Sequence, residues 1–371
     1  MSSQTTALPS EAVEAIEQWY EQGKFLQAYE FSKQFGPLET WQGTKALLIA
    51  GRLAGHLGSR SLTEKLHLRA YLRDRSHPEA QYYYAWAILH SRGPLAAWKW
   101  LKRNINMDAV DGKLCADIMT LQARAASLLR DFSKAEELLA NAEALVPGHK
   151  WSQVERLFLL EAEDRYEEAL EAAKQVCAQH HWYRPAVHAH AHMLQLLNRD
   201  EEALDLLQNG SEHIEGTSLL CELTGLQIEL KRFAEAKLNL QRCRQNAPLM
   251  DKLFEQWLNA NSADVEYHCG NFAAAAEFAG KVDGPFYQKF AVELQKPGAG
   301  KNRVELPVGF VRQHHMTCAP ATLTALSKFW GKQVEHVALA ETICYDGTPA
   351  YSERSWAEKN GWVAREFKVT Q

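Results

Sequence analysis

Proline and glycine are scarce in this chain, 12 and 21 of 371 residues. Both interrupt regular structure, so their scarcity leans the fold toward helix. The seven cysteines are an odd number, spread from Cys115 to Cys344 with no CxxC pair. That excludes a disulfide scaffold or a zinc knuckle and fits a reducing, cytoplasmic setting. No apolar run reaches membrane-spanning length, and the start MSSQTTALPSEAVEA lacks the basic and apolar parts of a signal peptide. Positive charge is not in surplus either. Lys and Arg number 41 against 46 Asp and Glu, a net charge of -5, which argues against a dedicated nucleic-acid binder. What is present is an ordinary globular mixture, 46% hydrophobic and 23% charged, long enough for two or three domains.

A phrase recurs along the first three hundred residues: an aromatic, two residues, then a small residue inside an apolar run. It reads FLQAYEF, DFSKAEELL, RYEEALEAA, RDEEALDLL, RFAEAKLNL and NFAAAAEFA. The small slot falls at Ala28, Thr63, Ala97, Ala135, Ala169, Ala203, Ala236 and Ala275, with three of the seven steps at 34 residues. Twelve residues earlier, Gly51, Ala85, Ala123, Ala191 and Ala263 are small again, while Ile16 and Leu157 are not. Pro147 and Pro248 each lie twelve residues after a small slot, where they end one helix and start the next unit. Small residues at two fixed offsets let paired helices approach closely, and eight stacked pairs share one elongated core.

Over about residues 11–290 this period and these slots resemble the tetratricopeptide repeat. The resemblance implies an α-α superhelix of helical hairpins, mainly α, with a concave face that holds a protein or peptide. The aromatics Tyr82, Tyr83, Tyr84 and Trp86, with Trp98 and Trp100, have two readings. They line that groove, or they fill the core between hairpins, the ordinary fate of aromatics. His188, His190 and His192 follow His180 and His181, but only His188 and His192 share a helical face, and no nearby carboxylate or cysteine completes a ligand set. Neither a metal nor a cofactor is expected.

At residue 295 the composition changes. Gln295–Arg303 is a polar Pro/Gly linker, and the repeat stops there. Val304, Leu306, Val308 and Phe310 alternate and predict a strand. Helix formers then run from Ala319 to Trp330, with Gly331 as the stop, which puts Cys318 at a helix N-terminus. Unpaired N–H groups and the helix dipole favour a thiolate there. Gln313, five residues earlier, offers an amide to a developing oxyanion. A buried packing cysteine is the plain alternative. Cys177, Cys221, Cys243 and Cys269 lie in repeat text and are expected to be buried, with Cys115 the nearest competitor in reactivity.

Gln313, Cys318, the run Ala319-Pro320-Ala321-Thr322-Leu323 and Phe329-Trp330-Gly331 are similar to the first half of the papain-like, bacteriocin-processing cysteine peptidases that cut double-glycine leaders. The resemblance implies a partial α+β domain with Cys318 as nucleophile and Gln313 as oxyanion donor. It implies a second helix over 334–343, a third ending at Asn360 and a strand from Trp362 to Val369. The glutamine-to-cysteine spacing is five rather than the common six, and Cys-Ala stands where Cys-Gly is usual. A thiolate also needs a histidine within reach. After Cys318 the chain holds only His336, and a helix of about 12 residues, about 18 Å long, is expected to keep it away from the sulfur. His314 and His315 are expected to be too close in sequence to fold back on it.

The expected organisation is therefore an array over 1–294, a linker over 295–303 and an incomplete peptidase-type domain over 304–371. The chain is expected to be a fragment or a natural truncation, inactive for lack of the catalytic His and Asp. Two functions remain open: a polypeptide-binding array joined to a cysteine peptidase, or a non-enzymatic adaptor with a degenerate peptidase-like domain. Either expects a protein or peptide partner, and neither nucleic acid nor membrane.

Overall fold

The computed structural model describes residues 6–298, 306–314, 316–345 and 347–365. The chain divides into two compact units, Met1–Gly300 and Lys301–Gln371.

The first unit is a stack of tetratricopeptide-like hairpins, eight among the described residues. They are α1 (Ser10–Glu21) with α2 (Phe25–Ser32), α3 (Thr44–His56) with α4 (Arg60–Arg73), and α5 (Pro78–Arg92) with α6 (Pro94–Asn104). Next come α7 (Gly112–Leu128) with α8 (Phe132–Leu145), α9 (Lys150–Ala162) with α10 (Tyr166–Gln179), and α11 (Arg184–Leu196) with α12 (Asp200–His213). The last two are α13 (Ser218–Glu229) with α14 (Phe233–Gln245) and α15 (Lys252–His268) with α16 (Phe272–Ala279), followed by α17 (Pro285–Leu294). A short parallel pair, β1 (Thr6–Ala7) and β2 (Trp41–Gln42), ties the N-terminus to the second hairpin. None of the described helices is long and apolar enough to cross a membrane.

The small slots explain the pairing. Seven of the eight, all but Thr63, are alanines with no exposed surface, each on the second helix of its hairpin. Thr63 keeps the close approach by donating its hydroxyl to the Gly51 carbonyl, 2.8 Å away on the partner helix. Gly51 is small because His67 fills its side, and a Cβ there meets the imidazole at 2.3 Å. Ile16 and Leu157, which depart from the small pattern, are also fully buried. At the corner of each hairpin one residue has positive φ. Gly23, Gly58, Arg130, Asp164, Asn198, Lys231 and Gly270 each stand five positions before their small slot, and Gly93 stands four before its own.

The array also touches itself at long range. The corners of the first two hairpins meet the loops that follow α12 and α14. Glu215 N–H donates to the Gly23 carbonyl (2.9 Å) and Thr217 N–H to the His56 carbonyl (3.1 Å). Leu249 N–H donates to the Leu57 carbonyl (3.1 Å) and Asp251 N–H to the Gly58 carbonyl (3.0 Å). One apolar core runs across this seam, from Phe25, Leu53 and Leu57 to Leu204, Ile214 and Leu219.

The second unit holds three helices among its described residues: α18 (Cys318–Phe329), α19 (His336–Ile343) and α20 (Ala350–Lys359). The strand expected over Val304–Phe310 is absent from 306–310, which carry no regular structure, and Val304 lies outside the described residues. The alternating side chains gain no sheet there: Leu306 and Phe310 are both exposed. Trp362–Arg365 likewise form no strand, and the rest of the strand expected to Val369 lies outside the described residues.

Candidate functional site

Two places gather chemistry: the inner face of the array and the start of α18. The inner face is built by the first helix of each hairpin. Successive first helices are joined by polar rungs between residues 31 to 34 positions apart, one repeat of sequence. Arg52 pairs with Glu21 (2.9 Å) and Arg124 with Glu155 (2.8 Å). Asp117 meets His149 (3.1 Å), Glu161 meets His192 (2.9 Å), and Glu222 pairs with His188. Carboxylates thus stand beside His188 and His192, which the sequence alone did not bring there, but each serves one histidine from a different neighbouring helix. Among the described residues no three metal-ligating side chains converge.

The aromatic cluster packs half-buried against the core: Tyr82, Tyr84, Trp86, Trp98 and Trp100 lie against one cluster and Tyr83 against another. Tyr84 turns into the packing between hairpins, stacked on Tyr71 at 4.1 Å and edge-on to Trp100 at 5.3 Å. Trp86 reaches across to Trp151 on α9, 5.8 Å between ring centres. The Arg124 guanidinium lies over both Trp86 and Phe158, each at 5.6 Å, while it holds Glu155. Burial pushes the Glu155 carboxyl up and Arg124 pulls it back, to about 7. One guanidinium nitrogen, Nη1, meets both carboxylate oxygens, at 2.8 and 3.1 Å.

A second knot forms at the N-terminal end. Arg52 sits 4.0 Å over the Tyr20 ring, whose hydroxyl meets His56 Nε2 at 2.9 Å. His56 stacks on Phe25 at 3.8 Å. Burial, with Arg184 and Arg52 near, holds this imidazole neutral, well below its ordinary pKa. Burial likewise drives the hydroxyls of Tyr82, Tyr83 and Tyr183 up. Tyr183, on the α11 side, has Arg184, Asp117 and Tyr20 around it, so residues from three first helices, α1, α7 and α11, converge. On the outer face, a cleft of about 650 Å³ separates α8 from α10 over Leu159 and Leu160, and its own pairs, Arg156 with Glu136 and Arg165 with Glu168, occupy its walls.

No family model matches the chain, and no curated protein matches it. Among solved structures it is similar to a chain of the APC/C hetero-tetramer Cut9-Hcn1, with 10% identity and a TM-score of 0.46 over 77% of this chain and 55% of that one. A tetratricopeptide repeat protein from Parabacteroides merdae is similar at 14% identity and a TM-score of 0.38, covering 76% of this chain and 96% of that one. Human IFIT1, solved as a dimer with m7Gppp-AAAA, is similar at 12% identity and a TM-score of 0.46, covering 76% and 68%. These likenesses concern the helical-repeat fold.

The start of α18 is the second place. Cys318 is the first residue of that helix and is exposed. Gln313 is also exposed, in the irregular segment before it. The expectation for His336 is corrected. Trp330 and Gly331 close α18 in a hydrogen-bonded turn, with Gly331 at positive φ, and Lys332–Glu335 follow without helical structure. The chain thereby returns to where α18 began. There His336 Nε2 meets Thr317 Oγ1 at 3.0 Å, next to Cys318 in sequence, and its ring lies 5.2 Å from that of His314. Burial, with His314 beside it, lowers the His336 pKa and keeps the imidazole neutral, able to accept a proton. The Cys344 thiol donates to the Met316 carbonyl at 3.1 Å, tying the end of α19 to the same turn. His315 lies outside the described residues.

The other cysteines match expectation only in part. Cys243 is buried and Cys177 and Cys221 are half-buried, but Cys269 is exposed at the end of α15. Cys115 is buried, and burial with Asp111 nearby raises its thiol pKa.

Proposed function

We propose that this chain is a polypeptide-binding repeat protein that carries a cysteine-peptidase-like segment, with Cys318 as its nucleophile and Gln313 as the amide donor to the oxyanion. The observation that supports the reading is an exposed thiol at a helix start whose preceding residue, Thr317, meets the His336 imidazole at 3.0 Å. In the reaction, the Cys318 proton passes to a neighbouring base and the sulfur attacks a peptide carbonyl. The amine leaves with that proton, and water then hydrolyses the thioester. The array supplies the polypeptide: its inner face offers tyrosine hydroxyls, imidazoles and paired charges at a spacing of one repeat.

A second reading, the adaptor, is favoured by one contact. Thr317 occupies His336 Nε2, and no carboxylate or amide orients the ring among the described residues, whereas an efficient thiolate–imidazole pair has a third group to hold the base. Peptide cleavage by the wild type, Cys318→Ala and His336→Ala, beside iodoacetamide labelling, decides between the two. Cleavage lost in both variants supports the peptidase. Labelling of Cys318 without any cleavage supports the adaptor.

A further inference from the structure

A helical-repeat ribbon has two edges, one made by the corners within hairpins and one by the loops between them. Here the edges meet. Corner Gly23 and corner Leu57-Gly58 belong to the first edge, and loops 214–217 and 246–251 belong to the second. Contacting positions lie 189 and 190 residues apart, about five and a half units of the 34-residue period. The first two hairpins are thereby joined to the loops that follow the sixth and seventh.

The seal has a specific chemistry. Glu215 Oε2 accepts from the Leu26 and Gln27 N–H groups at 2.7 and 3.1 Å, and its Oε1 accepts from the Gln27 side chain at 2.8 Å. It caps α2 from the far side of the seam. Asp251 does the same for α4: Oδ2 accepts from Ser61 N–H and from the Ser61 hydroxyl, both at 2.9 Å, while Oδ1 caps its own α15 through Phe254 N–H at 3.0 Å. First-turn N–H groups lack partners within their own helix, so each carboxylate satisfies donors that otherwise need water. Glycine lets the backbones close up. A Cβ at Gly58 meets Ala247 at 2.8 Å, and one at Gly216 meets the His56 carbonyl at 2.9 Å, both at positive φ.

We propose that this seam is a clasp that controls access to the inner face. Shut, it walls in Tyr82, Tyr83 and Tyr183. Opening releases Glu215 and Asp251 from α2 and α4, parts the backbone bonds and apolar contacts of the seam with them, and admits a polypeptide chain from the side. The carboxylate caps of Glu215 on Gln27 and of Asp251 on Ser61 lie at the solvent-exposed rim, where water replaces them directly. The proposal rests on the reading that the inner face binds polypeptide.

The test uses the full chain in three forms: wild type, Glu215→Ala/Asp251→Ser, and Gln27→Cys/Glu215→Cys joined by a short bismaleimide, with the cross-link verified by peptide mapping. Serine at 251 keeps a cap for α15. Amide exchange at Leu26, Gln27 and Ser61 reports the seam. Hydroxyl-radical footprinting of the three tyrosines reports access, and fluorescent reduced carboxymethylated lactalbumin serves as an unfolded probe. The double variant is expected to lose at least tenfold in amide protection, to label its tyrosines several-fold faster and to bind the probe more tightly than wild type. The joined form is expected to bind it least. Equal tyrosine labelling in the joined and double-variant forms overturns the clasp, as does probe binding by the joined form equal to that of wild type. If the double variant labels faster yet no form binds the probe, the clasp stands and the polypeptide-binding reading falls.

Discussion

His67 is buried between Gly51 and Tyr83, its Nε2 3.2 Å from the Leu48 carbonyl, and burial lowers its pKa to about 4. The unfolded chain holds this histidine near 6.5, so below that pH the unfolded state binds more protons. The histidine therefore removes stability as pH falls from 6.5 toward 4, by an amount of order 3 kcal/mol. Glu155, raised to about 7, acts in the opposite direction over the same range. A comparison of melting temperatures from pH 7 to 4 for wild type and His67→Leu isolates the histidine, and the wild type should show the steeper acid loss. Parallel curves sink this assignment. Gly51→Ala drives a methyl into the same imidazole and should cost about 1–3 kcal/mol by overpacking. Among the thiols, Cys318 and Cys269 should react with iodoacetamide first and Cys243 and Cys115 last, in the order of their exposure. Cys318 outpacing Cys269 is expected from its place at a helix start, where the dipole favours the reacting anion.

Between helices, the rung of Arg124 and Glu155 is well removed from water, with Glu155 3% exposed. It joins α7 to α9 while Arg124 also spans Trp86 and Phe158. Glu155→Ala leaves a guanidinium among aromatics without its counter-charge, and the expected loss in urea unfolding is about 3 kcal/mol. Arg232→Ala, on an exposed rung with Glu201, is the control and should cost under about 1 kcal/mol. Equal losses contradict the assignment. In the second unit the decisive element is the return segment Trp330–Glu335. Its turn at Trp330-Gly331 reverses the chain, and it carries His336 back to Thr317, a placement that helix length alone argued against.

Across the whole array, the seam changes how stability is distributed. An open solenoid unfolds as a sum of neighbour terms, with frayed ends. Here α1–α4 are joined to the loops after α12 and α14 by backbone bonds and two carboxylate caps. Native-state amide exchange should therefore find α1–α4 opening together with α11–α14. If α1–α4 open well before them in the wild type, the seam contributes little to the fold.

The period of 34 and the small slots were legible because close helix pairing tolerates only small side chains at fixed offsets, and that constraint is local. The corners at positive φ were partly legible, since Gly23, Gly58 and Gly270 mark them, while Arg130 and Lys231 carry no such mark. Cys318 at a helix start was legible from Pro320, the helix formers and Gly331. The seam was not, because Glu215 with Leu26 and Asp251 with Ser61 meet only through the accumulated rotation of five or six units, which no window of sequence contains. The meeting of His336 with Thr317 was hidden for a related reason. It depends on where Lys332–Glu335 run after the turn at Trp330-Gly331, which no local window of sequence states. Sequence alone determined the hairpins and their number, since each is a local solution to burying one apolar stripe. Tertiary structure alone decided which edges meet and which side chains share the inner face, since those follow from how small angles add up along the stack.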